Sequence, residues 1–244
     1  MTDIFRLATE SEIPHLSASS ISDFLRCTMS WYGSRIAKWE QGPKPALEIG
    51  TATHKALTAY HEGRDHEVEL LAAWKAMACA APSGALARVL QCLELYAEQM
   101  QPHQADVAGW WFLTPIQGLP IPLKGEFDLV RAPALEPTEG VVVDWKTGNG
   151  RYWTQSKADS EIQPTVYWHA FTVEAELPPA RFDYWVLTTS GGAPAVRTIT
   201  TTRTAEDVEK LQEVCRRVYQ RMLSEIPEPS CPKGWCRFPA QCGR

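Results

Sequence analysis

Residues 141–148, which read VVVDWKTG, constrain the fold of this chain more than any other segment. Three consecutive valines predict a strand that is buried in a sheet, because β-branched side chains favour extended backbone. Side chains alternate between the faces of a strand, so we expect Asp144 and Lys146 on one face and Trp145 on the other. A carboxylate and an ammonium at the end of a core strand must be paired or bind a metal ion, which marks a candidate site.

The composition is that of an ordinary globular protein. Its 244 residues are enough for one large domain, and 44% of them are apolar. The N-terminus lacks the pattern of a signal peptide, and no run approaches the roughly 18 apolar residues of a membrane span. We therefore expect a cytoplasmic protein without a membrane partner, in which the seven cysteines do not form a disulfide framework. The net charge of −5 mildly disfavours nucleic-acid binding but allows a local basic path.

Hydrophobic periodicity predicts a chain of helices first, followed by strands interrupted by further helices. Helices are expected at 17–38, at 46–61, twice between 67 and 100, at 156–176 and at 204–224. Strands are expected at 110–114, 123–131, 141–146, 182–188 and 195–201. The second and third of these strands can pair as a hairpin. This order indicates a mixed α/β sheet with an N-terminal helical part.

Acidic residues upstream extend the candidate site. The segment LKGEFDLV places Glu126 and Asp128 on one face of its predicted strand. If this strand neighbours the next one, Asp128 and Asp144 can converge on one divalent cation, with the backbone carbonyl of Trp145 as a further oxygen ligand. A surface hairpin with ordinary salt bridges explains the same acids equally well.

Two features outside these strands favour the metal site. His54 lies on a predicted helix, shortly after Gly50, which permits close backbone approach. Gln163 and Tyr167 lie four residues apart on another predicted helix and so share a face. Each has an ordinary alternative, since most helical histidines are packed or exposed and Tyr167 can be a core residue.

Taken in order, these residues resemble the RecB-type branch of the PD-(D/E)XK nuclease superfamily. The resemblance includes the N-terminal SASSISDFLRCTMSWY and runs from about residue 17 to residue 242. It implies a restriction-endonuclease-like fold, in which helices flank a mixed β-sheet core. We expect one compact unit with an N-terminal helical region at 1–105, a nuclease core at 106–225 and a cysteine-rich tail at 226–244.

The resemblance also implies a metal centre. His54, Asp128 and Asp144 would bind Mg²⁺ or Mn²⁺. Lys146 would orient the attacking water or offset developing charge. Glu126 is not a motif position and would act at most from outside the metal ligands.

The implied activity is that of a metal-dependent DNA exonuclease from a bacterium or a phage. Gln163 and Tyr167 would position the DNA strand or the water. The expected substrate is single-stranded DNA or DNA ends, in recombination, repair or CRISPR adaptation, whose proteins would be possible partners. The chain has no GxxxxGK[ST] motif and so no ATP-driven motor of its own.

Four cysteines are candidates for a second metal centre. Cys231, Cys236 and Cys242 cluster in the C-terminal tail, and Cys27 can supply a fourth ligand. On spacing alone, zinc fits at least as well as an iron–sulfur cluster. The resemblance favours a 4Fe–4S cluster, because one cysteine before the nuclease core and three after it is similar to AddB-type and CRISPR-associated nucleases. The remaining cysteines are expected to be buried apolar residues: Cys79, Cys92 and Cys215.

The segment after residue 148 is a candidate DNA path. Arg151 and Lys157 can neutralise phosphates, as can Arg131 and Lys124 elsewhere. Tyr152 and Trp153 can stack on bases, although a solvated loop with a partly packed aromatic residue explains them too.

Two other functions are compatible with the sequence. One is a non-catalytic nucleic-acid or protein-binding module that kept the nuclease fold. The other is an iron–sulfur redox sensor in which the acids are relics.

Overall fold

The computed structural model describes residues 6–131, 140–230, 237–238 and 241. Its α-helices are α1 Ala18–Arg26, α2 Thr28–Arg35, α3 Pro45–His61, α4 His66–Lys75, α5 Ala85–Gln99, α6 Gln155–Ser160, α7 Gln163–Ala175 and α8 Ala205–Ser224. Its strands are β1 Asp106–Thr114, β2 Leu123–Arg131, β3 Val141–Asn149, β4 Arg181–Ser190 and β5 Val196–Thr201. Among the described residues, none of these helices combines the length and the apolar character needed to cross a membrane.

The strands within the described ranges form one mixed sheet in the order β1-β2-β3-β4-β5. β2 and β3 are antiparallel, with Val130 opposite Val142, which confirms the predicted hairpin pairing. β3 and β4 are parallel, whereas β4 and β5 are antiparallel. A parallel pair needs a crossover connection, and α6 and α7 lie in it. β3 is therefore a central strand, and its three valines are buried as the sequence predicted.

Helices cover the central strand from two sides. α3 and α7 both pack on β3, and α5 packs on β4. The face of β3 that carries Trp145 joins a core cluster with Leu57 of α3, Leu93 of α5 and Trp185 of β4. This mixed α/β arrangement agrees with the expected restriction-endonuclease-like fold.

The predicted helix at 17–38 is wrong, because the chain breaks at Cys27. The backbone of this residue is extended, with φ −165° and ψ 109°, and it ends α1 and precedes α2. Its N–H group still donates to the carbonyl oxygen of Asp23, so α1 closes with a normal hydrogen bond. The next helix therefore starts in a new direction.

The predicted helix at 156–176 is also two helices. α6 ends at an extended Glu161, and α7 begins with a proline in its first turn, where the missing N–H group costs nothing. The buried Arg203 fixes this break, because its guanidinium donates to the carbonyl oxygens of Ala158, Asp159 and Glu161 and to Thr165 Oγ1.

The chain divides into two compact units. One contains residues 1–42, 112–125 and 204–244, and the other contains residues 43–111 and 126–203. The residues predicted for cleavage and for DNA contact from the segment after β3 all lie in the second unit, whereas Cys27 and the C-terminal tail lie in the first.

Candidate active site

Asp144 and Lys146 form a buried ion pair within β3, which continues to Asn149 instead of ending at Lys146 as the sequence predicted. Lys146 Nζ lies 2.6 Å from Asp144 Oδ2, on the face that the alternation of side chains predicted. Asp144 is only 2% exposed. Burial raises the pKa of Asp144 to about 6, even though the neighbouring ammonium lowers it, and the nearby Asp128 raises it further. This carboxylate is therefore costly to ionise without a bound positive charge.

Gln163, the first residue of α7, bridges the two charges. Its Nε2 donates to Asp144 Oδ1 at 2.5 Å, and its Oε1 accepts from Lys146 Nζ at 2.9 Å. The same Nε2 lies 3.1 Å from the hydroxyl oxygen of Tyr167, one helical turn later. Burial raises the pKa of Tyr167 well above its usual range. The structure thus brings Gln163 to the carboxylate of Asp144 and Tyr167 to Gln163, as expected for residues of one site.

Asp128 and His54 complete the set from β2 and α3. Asp128 Oδ2 accepts the backbone N–H of Trp145 at 2.8 Å, and its Oδ1 lies 3.3 Å from His54 Nδ1. Burial lowers the pKa of His54, but the carboxylate of Asp128 outweighs this effect and leaves the pKa above its ordinary value. Glu126 lies nearby on β2, where burial and Asp128 raise the pKa of its carboxyl.

The residues fit a divalent cation, although they are not arranged as a finished metal site. Within the described ranges, no group of three or more His, Cys, Asp or Glu side chains is spaced to hold a metal ion. Instead, Lys146 pairs with Asp144, and His54 pairs with Asp128. Asp144 Oδ2 is buried, and its close contact in the described part of the chain is the ion pair with Lys146 Nζ at 2.6 Å. This oxygen and those of Asp128 are the hard ligands that Mg²⁺ and Mn²⁺ prefer.

Aromatic rings surround the ammonium of Lys146. Its Nζ lies 5.3 Å from the centre of the Trp153 ring and 5.4 Å from that of Tyr184. Trp153 and Tyr184 contact each other, with ring centres 4.7 Å apart. Tyr184 was not predicted from the sequence. Nothing in the local pattern of β4 marks this residue, because its role depends on its position opposite Asp144 in the parallel pair.

A cleft of about 450 Å³ opens beside this site, between the start of α3 and the segment after β3. His54 and Lys146 line it together with Tyr152 and Trp153. Tyr152 is 56% exposed, so one face of its ring is accessible. Lys157 Nζ lies 4.5 Å from the centre of that ring and also pairs with Glu161.

Two basic residues considered for the DNA path differ in their surroundings. Arg151 is exposed next to the cleft, in the short 3-10 helix Gly150–Tyr152. Arg131 instead donates to both carboxylate oxygens of Asp106 and to the carbonyl oxygen of Gln101. Its guanidinium also lies over the Trp185 ring, so we remove Arg131 from the proposed path.

Of the four candidate cluster cysteines, three lie outside the described residues: Cys231, Cys236 and Cys242. Cys27 is buried, and the N–H group of Ser230 lies 3.5 Å from its sulfur. The N–H of Glu228 donates to Thr28 Oγ1 at 2.9 Å, which holds the tail beside Cys27. Cys92 and Cys215 are buried as expected, whereas Cys79 is partly exposed.

Comparisons with known proteins concern the family and the fold of the chain. The profile of the PD-(D/E)XK nuclease superfamily matches residues 15–243. A crystal structure of a "Putative exonuclease" from Eubacterium rectale aligns with a TM-score of 0.62 and 16% identity, over 96% of this chain and 94% of that one. The structure of SSO0001 aligns with a TM-score of 0.45 and 14% identity, over 96% and 86% of the two chains. No curated protein matches the chain.

We expect the substitution Asp144→Asn to stabilise the metal-free protein at neutral pH. The folded-state pKa of about 6 lies above the ordinary value of 3.8, so ionisation destabilises the fold above pH ~6 and not below pH ~4. The free energy of unfolding in EDTA should rise by roughly 1–3 kcal/mol near pH 7.5 and by much less near pH 4.5. Urea unfolding monitored by tryptophan fluorescence measures both values.

The matched control is Asp183→Asn. Asp183 is an equally buried acid on β4, but it pairs with Arg181 and accepts from Thr200 Oγ1. This substitution should destabilise the protein at neutral pH. An Asp144→Asn variant that is less stable than wild type near pH 7.5 would contradict the expected cost of the buried carboxylate.

Proposed function

Because the chain belongs to the PD-(D/E)XK nuclease superfamily, we propose that it is a divalent-metal-dependent exonuclease that hydrolyses DNA. The observation that carries this proposal is the set of contacts that joins Asp144, Lys146 and Gln163 beside Asp128. The Eubacterium rectale protein, which has a similar fold, carries the description "Putative exonuclease", and this supports action at strand ends. We place the activity in recombination, repair or CRISPR adaptation.

Asp128 and Asp144 would hold Mg²⁺ or Mn²⁺, with His54 and the Trp145 carbonyl as further ligands. A cation bound there lowers the pKa of water and stabilises negative charge on the phosphate. For His54 to bind a metal, its imidazole ring must be neutral. In the metal-free protein, the carboxylate of Asp128 raises the pKa of this ring. A pH slightly above neutral would therefore favour metal binding by His54.

Lys146 would offset the negative charge that develops on the phosphate or orient the attacking water. Its side chain is 21% exposed, so the ammonium reaches the cleft while its stem is buried. Gln163 Oε1 and the rings of Trp153 and Tyr184 limit its movement. A preorganised positive charge in a partly desolvated site stabilises the charge that develops in the transition state.

We expect Asp144→Asn to abolish cleavage. End-labelled single-stranded and double-stranded DNA should be digested by the wild type with Mg²⁺ or Mn²⁺ but not with EDTA, and at least about 100-fold more slowly by the variant. Asp183→Asn, checked for folding by circular dichroism, should retain activity. Shortening from the labelled ends, rather than internal cuts, identifies an exonuclease.

A wild-type protein that binds these DNAs but cleaves neither would contradict this proposal and indicate a binding module instead. Equal activity in the wild type and in Asp144→Asn would remove Asp144 from the catalytic site and leave the nuclease family assignment intact.

The substrate strand is proposed to cross the cleft over Tyr152. This ring is exposed and lies beside the cationic Lys157 and next to Arg151, which provides a stacking surface close to phosphate-binding charges. Trp153 packs against Tyr184 and supports the wall of the cleft. Stacking tolerates any base, so this contact suits an enzyme that degrades unrelated sequences.

In the Asp144→Asn background, Tyr152→Ala should weaken the binding of single-stranded DNA by roughly 5- to 100-fold, since stacking contributes about 1–3 kcal/mol per base. Tyr152→Phe keeps the ring and should bind as well as its parent. Arg151→Ala should reduce the salt slope of binding by about one. Fluorescence anisotropy at several salt concentrations measures these changes, and equal affinities for the alanine and phenylalanine variants would exclude stacking.

Cys27, Cys231, Cys236 and Cys242 are proposed to hold a 4Fe–4S cluster, with zinc as the alternative. The support from the described residues is that the chain leading to Cys231 runs beside Cys27, where a backbone N–H faces the buried sulfur. Amide donors of this kind are typical of cluster-bound thiolates. The cluster would tie the tail to the N-terminal helices of the same unit.

Protein purified without oxygen should be brown and should contain about four iron and four sulfide per chain. Cys27→Ser should lose the colour, whereas Cys215→Ser, which alters another buried cysteine of the same unit, should keep it. Colourless protein with stoichiometric zinc would contradict the iron–sulfur cluster without affecting the nuclease proposal.

A further inference from the structure

A buried chain of hydrogen bonds lies on the opposite face of β3 from the candidate active site. Trp145 Nε1 donates to the hydroxyl oxygen of Tyr96 at 3.0 Å. The same oxygen lies 2.7 Å from His61 Nε2, and His61 Nδ1 lies 2.7 Å from Asp106 Oδ2. Arg131 ends the chain by donating to both oxygens of Asp106 at 3.0 Å.

These polar groups are enclosed by the core. Trp145 and Tyr96 are each 1% exposed, and the side chains of His61 and Asp106 are fully buried. The His61 ring stacks on the Trp145 ring, with centres 5.8 Å apart. Apolar side chains of similar volume would fill this space without placing a charge there. Packing alone therefore does not account for this series of hydrogen bonds.

One proton arrangement satisfies every group. Burial raises the pKa of Asp106, but the bonds from His61 and Arg131 outweigh this and lower the pKa to about 2. The ionised Asp106 accepts only, so His61 donates from Nδ1. In the tautomer that carries its proton on Nδ1, Nε2 accepts the Tyr96 O–H, which leaves the Tyr96 oxygen to accept from Trp145. All donors therefore point from Trp145 towards Asp106.

Trp145 connects this series of hydrogen bonds to the candidate active site. Its backbone N–H holds Asp128 Oδ2 at 2.8 Å. Its ring contacts the His54 ring edge-on, with centres 5.8 Å apart. A rotation or shift of Trp145 would displace both side chains that are proposed to bind the cation.

We propose that Tyr96, His61 and Asp106 are positioning residues that hold the Trp145 indole and thereby set the positions of Asp128 and His54. This inference rests on the proposed nuclease function, because it assigns those two residues to metal binding. Residues that orient metal ligands from behind typically change metal affinity or activity 10- to 100-fold when they are altered.

The decisive comparison is Tyr96→Phe against Tyr60→Phe. Tyr60 belongs to the same core, with its ring 5.8 Å from that of Tyr96, but its hydroxyl donates to the carbonyl oxygen of Ala97. Tyr96→Phe should lower kcat and Mn²⁺ affinity about 10-fold or more, with KM for DNA unchanged. Tyr60→Phe should leave all three within about twofold, since the Tyr60 hydroxyl donates to a backbone carbonyl and not to the hydrogen-bond chain that ends at Trp145.

His61 provides a second test in case Tyr96→Phe does not fold. The amide of His61→Gln can accept from Tyr96 and donate to Asp106, so this variant should stay close to wild type. His61→Leu can do neither and should lose kcat as Tyr96→Phe does. Equal losses in the two His61 variants, or in the two tyrosine variants, would reduce the chain to a structural role and overturn the inference.

A readout without DNA separates this inference from the proposed function. The indole N–H resonance of Trp145, assigned in the nitrogen–proton spectrum with Trp145→Phe, should shift and exchange faster with water in Tyr96→Phe but not in Tyr60→Phe. If the wild type cleaves no DNA, the nuclease proposal fails, while Mn²⁺ titration and this resonance still test the positioning chain. Unchanged Mn²⁺ affinity and an unchanged resonance in Tyr96→Phe would overturn it.

Discussion

The burial of the Asp144 carboxylate is the constraint on which the surrounding structure depends. An ionised acid that is 2% exposed is stable only where positive charge and hydrogen-bond donors are held against it. Lys146 meets this need from the same strand and Gln163 meets it as the first residue of α7, so α7 must begin beside Asp144. The break before α7 and the carbonyl contacts of Arg203 that fix it follow from this requirement.

Central position in the sheet gives β3 two different tasks on its two faces. The front carries the buried Asp144 and its partner Lys146, which lines the cleft, and partial desolvation strengthens the electrostatic contact between them. The back anchors Trp145 in the core through Tyr96. Because the period of a strand is two, Trp145, which lies between Asp144 and Lys146 in sequence, can be held from behind without obstructing either side chain. Rigid placement of the acids is thus a consequence of strand geometry.

Local pattern was enough to predict the buried strand, its hairpin partner and the shared face of Asp144 and Lys146, since each depends on residues close in sequence. The breaks at Cys27 and Glu161 were not predicted. At Glu161 the backbone is set by Arg203, more than 40 residues away, and helical periodicity continues across it. Arg131 was assigned to the DNA path for its charge, but its partner Asp106 is brought close only when β1 and β2 join the sheet.

The acids of the site are a stability cost that only a bound cation or a proton removes. Burial raises the pKa of both Asp144 and Glu126, and repulsion by Asp128 raises each further, so the metal-free protein is strained electrostatically at neutral pH. Lys146 and His54 offset part of this, yet one oxygen of Asp144 still accepts no hydrogen bond within the described residues. A cation would replace His54 as the counter-charge of Asp128 and so free the imidazole to act as a ligand. The contact between His54 and Asp128 would therefore compete with a divalent cation for the same carboxylate.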